Sequence, residues 1–156
     1  MFSKHLVYML LHQISILICL TTLTLLSCSS QKIETGQTLK KETTELIRSL
    51  GLLNDGEHVI QYYSNYEQNK AGSFFTNKRI AHYWLDDTDK SKNDTSYAFY
   101  PDSVSIDTTL TVPDTFAPYM TVTKKDSSQF RLYVEGSKSE IRAFFAAALL
   151  TWKKSN

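Results

Sequence analysis

Residues 129–152 read QFRLYVEGSKSEIRAFFAAALLTW. Phe130, Leu132 and Val134 point one way, Arg131 and Tyr133 the other, which is the period of a strand with one buried face. Gly136 ends the strand over Gln129–Glu135. Ser137 then stands three residues before Glu140, the spacing of a capping box. Ile141, Phe144, Phe145, Ala148, Leu149 and Trp152 follow at i, i+3, i+4, i+7, i+8 and i+11, one apolar stripe of a helix. Lys153 and Lys154 lie at its C-terminal end, where the helix dipole favours cations. A half-buried strand that feeds a bulky helical stripe predicts a β-structure closed by that helix. Trp152→Ala is therefore expected to cost about 3–5 kcal/mol if the helix is the plug.

Upstream, the same alternation and β-branched or aromatic enrichment predict strands over His58–Ser64, Ala71–Thr76, Arg79–Leu85, Ser96–Tyr100, Ser103–Leu110 and Tyr119–Lys124. Ile80, His82 and Trp84 share one face of theirs. Asn77-Lys78 reads as a two-residue hairpin connection, with asparagine at positive φ. Pro101-Asp102 interrupts the sheet, and Thr111–Ala117, with Pro113, reads as an irregular connection. Asn65–Lys70 and Asp86–Thr95 are polar loops. Ahead of the strands, Leu39, Leu46, Ile47 and Leu50 mark a short amphipathic helix, with Thr38 as its cap and Gly51 as its stop. Its polar face carries Lys40, Lys41 and Arg48 against Glu42 and Glu45, too balanced for a membrane surface, so packing on the domain is expected. The fold expected is α+β and mainly β. It is a small antiparallel barrel of about seven strands plugged by a C-terminal amphipathic helix, with a short N-terminal helix.

Three pieces carry a family likeness. They are Leu53-Asn-Asp-Gly-Glu57 with the strand His58–Ser64, then Gly72-Ser-Phe-Phe-Thr-Asn-Lys-Arg-Ile80, then Phe99–Ile106 with Phe130–Val134 and the terminal helix. Together they resemble the bacterial pleckstrin-homology-like (PH-like) family over roughly Leu52–Lys154. The resemblance implies a bent, partly open barrel of seven strands with one end plugged by the helix. It also implies a binding scaffold rather than a catalyst.

The N-terminus gives an address. Lys4 precedes an apolar body over Leu6–Leu11 and Ile14–Leu26, the layout of a secretory signal. Leu25-Leu26-Ser27-Cys28 resembles the lipobox of bacterial lipoproteins, which implies cleavage before Cys28 and diacylglycerol on its sulfur. Two or more acyl chains, palmitate among the usual ones, hold a protein stably on a bilayer. The alternatives are an uncleaved membrane helix over Leu6–Leu26 and ordinary secretory cleavage. Ser29 follows the cysteine where an aspartate would signal inner-membrane retention, which favours the outer membrane in a Gram-negative cell. The organisation expected is a signal over residues 1–27, a polar tether over 28–38, the short helix over 39–51 and the barrel domain over 52–154.

Loss of the signal removes Lys4 and no acid, so 16 basic residues remain against 16 acidic ones. That balance excludes an electrostatic nucleic-acid binder. The two cysteines are Cys19, in the signal, and Cys28, so the exported domain carries no disulfide. Of the nine tyrosines and eight phenylalanines only Tyr8 and Phe2 lie in the signal, and the rest, with two tryptophans, can supply the core instead. His58 and His82 lie on strands without a nucleophile motif or a third metal ligand beside them, and no catalytic, cofactor or metal site is expected. Asp87, Asp89 and Ser91 imitate a calcium loop, but Lys92 and Ala98 stand where its glycine and glutamate belong. Lys70, Lys78 and Arg79 are too few to hold a phosphoinositide, and Arg79 is expected to serve structure with its guanidinium on loop carbonyls. Tyr62, Tyr63, Tyr66, Phe74 and Phe75 are read as core first and as a partner patch second. The function expected is a membrane-anchored, non-catalytic adaptor that holds an envelope protein or peptide at a barrel edge or at the two polar loops. The alternative is a small-ligand carrier with its ligand in the barrel mouth.

Overall fold

The computed structural model describes residues 33–110 and 117–155. All of them belong to the second of two units into which the chain divides, Lys32–Asn156. The stretch read as a signal over 1–27, Cys28 with the sequence read as a lipobox, the first residues of the expected tether and Pro113 lie outside the described residues.

Eight strands and two helices follow in order. β1 is Ile33–Thr35, α1 is Lys41–Ser49, β2 is Val59–Tyr63, β3 is Ala71–Thr76 and β4 is Arg79–Trp84. β5 is Asp94–Phe99, β6 is Ser103–Thr109, β7 is Tyr119–Lys124, β8 is Gln129–Tyr133 and α2 is Lys138–Ser155. They form a five-stranded sheet in the order β1-β2-β3-β4-β5 and a three-stranded sheet in the order β6-β7-β8. Both are antiparallel throughout. Beyond residue 52 this gives four strands, then three, then a helix, the mainly β, α+β architecture expected. The corner between β5 and β6 is a single 3-10 turn at Tyr100–Asp102, where Pro101 interrupts the ladder as its sequence demands.

The structure adds a strand that the sequence did not signal. β1 falls inside the segment read as a tether and pairs with β2, Ile33 opposite Tyr63 and Thr35 opposite Gln61. The Gly36 N–H then donates to the Ile60 carbonyl at 3.2 Å. Thr38 does not cap α1. Its hydroxyl donates to the Thr35 carbonyl at 3.1 Å and accepts the Thr35 N–H at 3.0 Å, closing the turn after β1. The N-cap is Lys40, which makes no side-chain cap bond. Gly51 does end α1, at φ +71°. Its N–H donates to the Arg48 carbonyl and the Leu52 N–H to the Ile47 carbonyl, a Schellman motif with Ile47 and Leu52 in the same apolar cluster.

The five-stranded sheet is buried on both faces. Leu39, Ile47, Leu52 and Leu53 cover one face over Tyr62, Phe74, Ala81 and Tyr83, so α1 packs on its own domain. The other face, Tyr63, Phe75, Ile80 and Ala98, meets the inner residues of the second sheet and Ile141, Phe144, Phe145 and Ala148 of α2. α2 opens on the expected capping box: the Ser137 N–H donates to Glu140 Oε2 at 2.8 Å and the Glu140 N–H to Ser137 Oγ at 3.3 Å. Trp152 is only half-buried, whereas Phe144 is 1% exposed, so the deep anchor of the plug is Phe144.

The hairpin between β3 and β4 turns at Asn77-Lys78, but neither residue takes positive φ; Ser127 is the only described non-glycine that does. Thr76 Oγ1 instead accepts the N–H groups of Lys78 and Arg79 at 3.0 and 2.9 Å, and Asn77 exchanges bonds with His58. Gly72, in the same hairpin, is required by close approach. A Cβ there would stand 2.6 Å from the Tyr62 hydroxyl. That ring cannot yield, because its hydroxyl donates to the Ala71 carbonyl at 2.8 Å and lies 2.9 Å from the Tyr83 hydroxyl. Gly72→Ala is expected to lose about 1–3 kcal/mol in urea denaturation, the usual cost of overpacking. An unchanged midpoint would mean that Tyr62 has somewhere else to go.

Candidate functional site

Strand register lays three rows across the inner face of the five-stranded sheet. Phe75, Ile80 and Ala98 form the first and are buried in the core. Ser73, His82 and Ser96 form the second and are half-buried. Ala71, Trp84 and Asp94 form the third, where Trp84 is 46% exposed and Asp94 is open to solvent. The face therefore grades from apolar to polar toward one end, opposite the row that α2 covers. The polar end is a cleft of about 800 Å³, within the range of ligand sites.

β8 forms the facing wall, with Gln129, Phe130, Arg131 and Tyr133 on the cleft. Phe130 stacks on His82, ring centroids 5.7 Å apart. Asn65 Nδ2 donates to Glu135 Oε1 at 3.0 Å and ties the β2–β3 loop to the end of β8. β8 pairs only with β7 among the described residues. The Val134 N–H bonds the Pro118 carbonyl and the Lys124 N–H the Ser128 carbonyl. Antiparallel alternation then turns the N–H and C=O groups of Gln129, Arg131 and Tyr133 away from β7, along the free edge.

Electrostatically the cleft is weakly acidic. His82 Nε2 lies 3.7 Å from Asp94 Oδ2. Burial pushes the His82 pKa below the ordinary imidazole value, and the opposing pull of Asp94 does not restore it. His82 is thus neutral at neutral pH. The Arg131 guanidinium turns to the outer side, 4.7 Å from the centre of the Tyr119 ring.

The structure distributes the sequence-derived candidates unevenly. Tyr62, Tyr63, Phe74 and Phe75 are core, and only Tyr66 is exposed, with its ring 5.7 Å from that of Trp84. The two polar loops meet at this mouth, since Lys70 pairs with Asp87 and with Glu67. His58 is exposed and its neighbour across the turn is Asn77, so it does not approach His82. Among the described residues no three His, Cys, Asp or Glu side chains could hold a metal. The acidic loop turns its carboxylates on itself: Asp86 accepts from Thr88 and Asp89, and Asp89 from Ser91. Arg79 is buried, its guanidinium on the Gly51 carbonyl as expected, and also on the Glu57 carboxylate. Sequence reasoning missed the cleft row itself. The available signal was Ser73, His82 and Ser96, polar residues at inward-facing strand positions.

Fold and cleft define a small two-sheet β domain capped by a helix, with an open mouth beside one free strand edge. No family model matches the chain, and a search of curated proteins finds no match. Among solved structures the chain is similar to a DUF1696 family protein with a pleckstrin-homology domain from Shewanella loihica PV-4. The two are 14% identical with a TM-score of 0.47, over 68% of this chain and 92% of that one. No residue role is carried across from it. No helix among the described residues is long and apolar enough to cross a membrane.

Proposed function

We propose that this protein is a non-catalytic binding lipoprotein of the bacterial cell envelope, anchored through lipid on Cys28, that holds an extended segment of an envelope partner along β8. One observation carries the reading: the free backbone edge of β8 runs beside a cleft of about 800 Å³. An exposed edge offers main-chain hydrogen bonds to an added strand, and a flanking cleft takes its alternate side chains. A small ligand in the barrel mouth is the weaker alternative: it would have to sit in this same open cleft, since Phe75, Phe144 and Phe145 fill the space behind it.

Anchor and edge are tested separately. Cys28→Ala is expected to abolish labelling by an alkyne-tagged palmitate and to move the protein to the soluble fraction. Label retained in the variant would remove Cys28 from the proposal. For the edge, a photo-crosslinker at Tyr133 is expected to capture one envelope protein in cells. Arg131→Pro removes an edge N–H without removing a bond to β7, so the fold should persist by circular dichroism while the crosslink is lost. A crosslink that survives Arg131→Pro would reject strand addition.

A further inference from the structure

We propose that the segment taken up along β8 carries a lysine or arginine that points into the mouth, with its cation between the Asp94 carboxylate and the Trp84 ring. This rests on the strand-addition reading above and adds the chemistry of the occupant. In an added strand, residues opposite Phe130 and Leu132 turn to the same side as those two, which is inward. The cleft that Phe130 lines from that side is also lined by Ala71, Trp84 and Asp94 of the mouth row.

Three observations set the charge of what fits. The only cationic group in reach of Asp94 among the described residues is His82, at 3.7 Å, and burial keeps that imidazole neutral at neutral pH. The carboxylate thus faces the cleft with no fixed countercharge. Trp84 presents an open indole face braced by Tyr66, a platform for a cation. The neighbouring Lys70 makes a contact of this kind with Tyr66, its Nζ 5.8 Å from the centre of that ring. Independently, the Tyr63 hydroxyl lines the cleft from a side chain only 3% exposed. It lies beside Glu135, whose carboxylate adds a second acidic group at the mouth. An acidic side chain would instead meet Asp94 and Glu135, and an apolar one would strip water from Asp94 without replacing it.

The test uses the mature domain and three acetylated, amidated peptides, followed by NMR of the β8 and Trp84 amides. The first is Thr-Val-Thr-Lys-Thr-Val-Thr, the second has glutamate for lysine, and the third is the lysine peptide with N-methyl groups along one edge. The lysine peptide is expected to bind at least about tenfold more tightly than the glutamate one, about 1.4 kcal/mol. Asp94→Asn, at an exposed position, is expected to erase most of that preference, and N-methylation to erase binding. Equal binding of the lysine and glutamate peptides would overturn the charge assignment and leave strand addition standing. No shift of the β8 amides with any peptide would overturn strand addition, and the charge assignment with it. Binding of the lysine peptide that ignores N-methylation would keep the charge site and reject the edge.

Discussion

Glu57→Gln is expected to cost about 3–5 kcal/mol of folding stability, read as a large fall in the urea midpoint, because it leaves the Arg79 charge buried without its partner. Arg79 Nε and Nη2 donate to the two Glu57 oxygens at 2.9 and 2.8 Å. Both side chains are almost completely inaccessible. The Thr76 hydroxyl donates to Glu57 Oε1 at 2.6 Å and the Asn54 N–H to Oε2 at 3.0 Å. Arg79 Nη1 also reaches the Gly51 carbonyl at 3.1 Å, and its guanidinium lies 4.2 Å from the centre of the Phe99 ring. One ion pair thus ties the end of α1, the loop before β2, the β3–β4 hairpin and β5. Removing both charges together, as in Glu57→Leu with Arg79→Met, is expected to recover much of the loss, since no uncompensated charge then remains. A single-variant loss below about 1 kcal/mol would show that water reaches the pair.

The same pair sets an acid limit. Burial pushes the Glu57 pKa up, but the Thr76 hydroxyl, the Arg79 guanidinium and the Asn54 N–H outweigh it and hold the group below its ordinary 4.5. A lowered folded-state pKa contributes stability that is complete above the unfolded value and is lost as pH falls through the folded one. Stability is therefore expected to fall below about pH 4.5, and Glu57→Gln to flatten that part of the profile.

Phe144→Ala carries the second large effect, about 3–5 kcal/mol by the same measurement. Phe144 meets Phe75 edge-on at 5.2 Å between ring centroids and Phe145 at 6.3 Å, at the base of α2. Truncation leaves a cavity lined by strands of the five-stranded sheet and by the helix, which a well-packed core fills only in part. Trp152→Ala is expected to cost under about 2 kcal/mol, because a half-buried ring loses less area. A larger loss at Trp152 than at Phe144 would reverse the order of the two anchors.

Local signals were legible wherever a residue's role depended on its near neighbours. The strands Ala71–Thr76 and Tyr119–Lys124 are found at the residues expected, because β-propensity in the first and alternation in the second are properties of consecutive side chains. The Ser137–Glu140 box and the Gly51 stop were equally local. The misses share a different cause. β1 is three residues of mixed polarity, and only the edge of β2 makes it a strand. Thr38 had a partner nearer than the helix, in Thr35. β5 begins at Asp94, inside the segment read as loop, since its pairing with Trp84 outweighs its weak β-propensity. The Asn77 turn needed no positive φ because Thr76 and His58, the latter distant in sequence, hold it.

By itself the sequence determined the fold class and the C-terminal helix with its apolar stripe, since periodicity and capping are written in consecutive residues. Only the tertiary structure decided that Glu57 belongs to Arg79, that α1 lies on the sheet, and that Ser73, His82, Trp84, Asp94 and the edge of β8 share one cleft. Those relations join residues from strands far apart in the chain, and register and sheet order, which bring them together, are fixed by the packing of the whole domain.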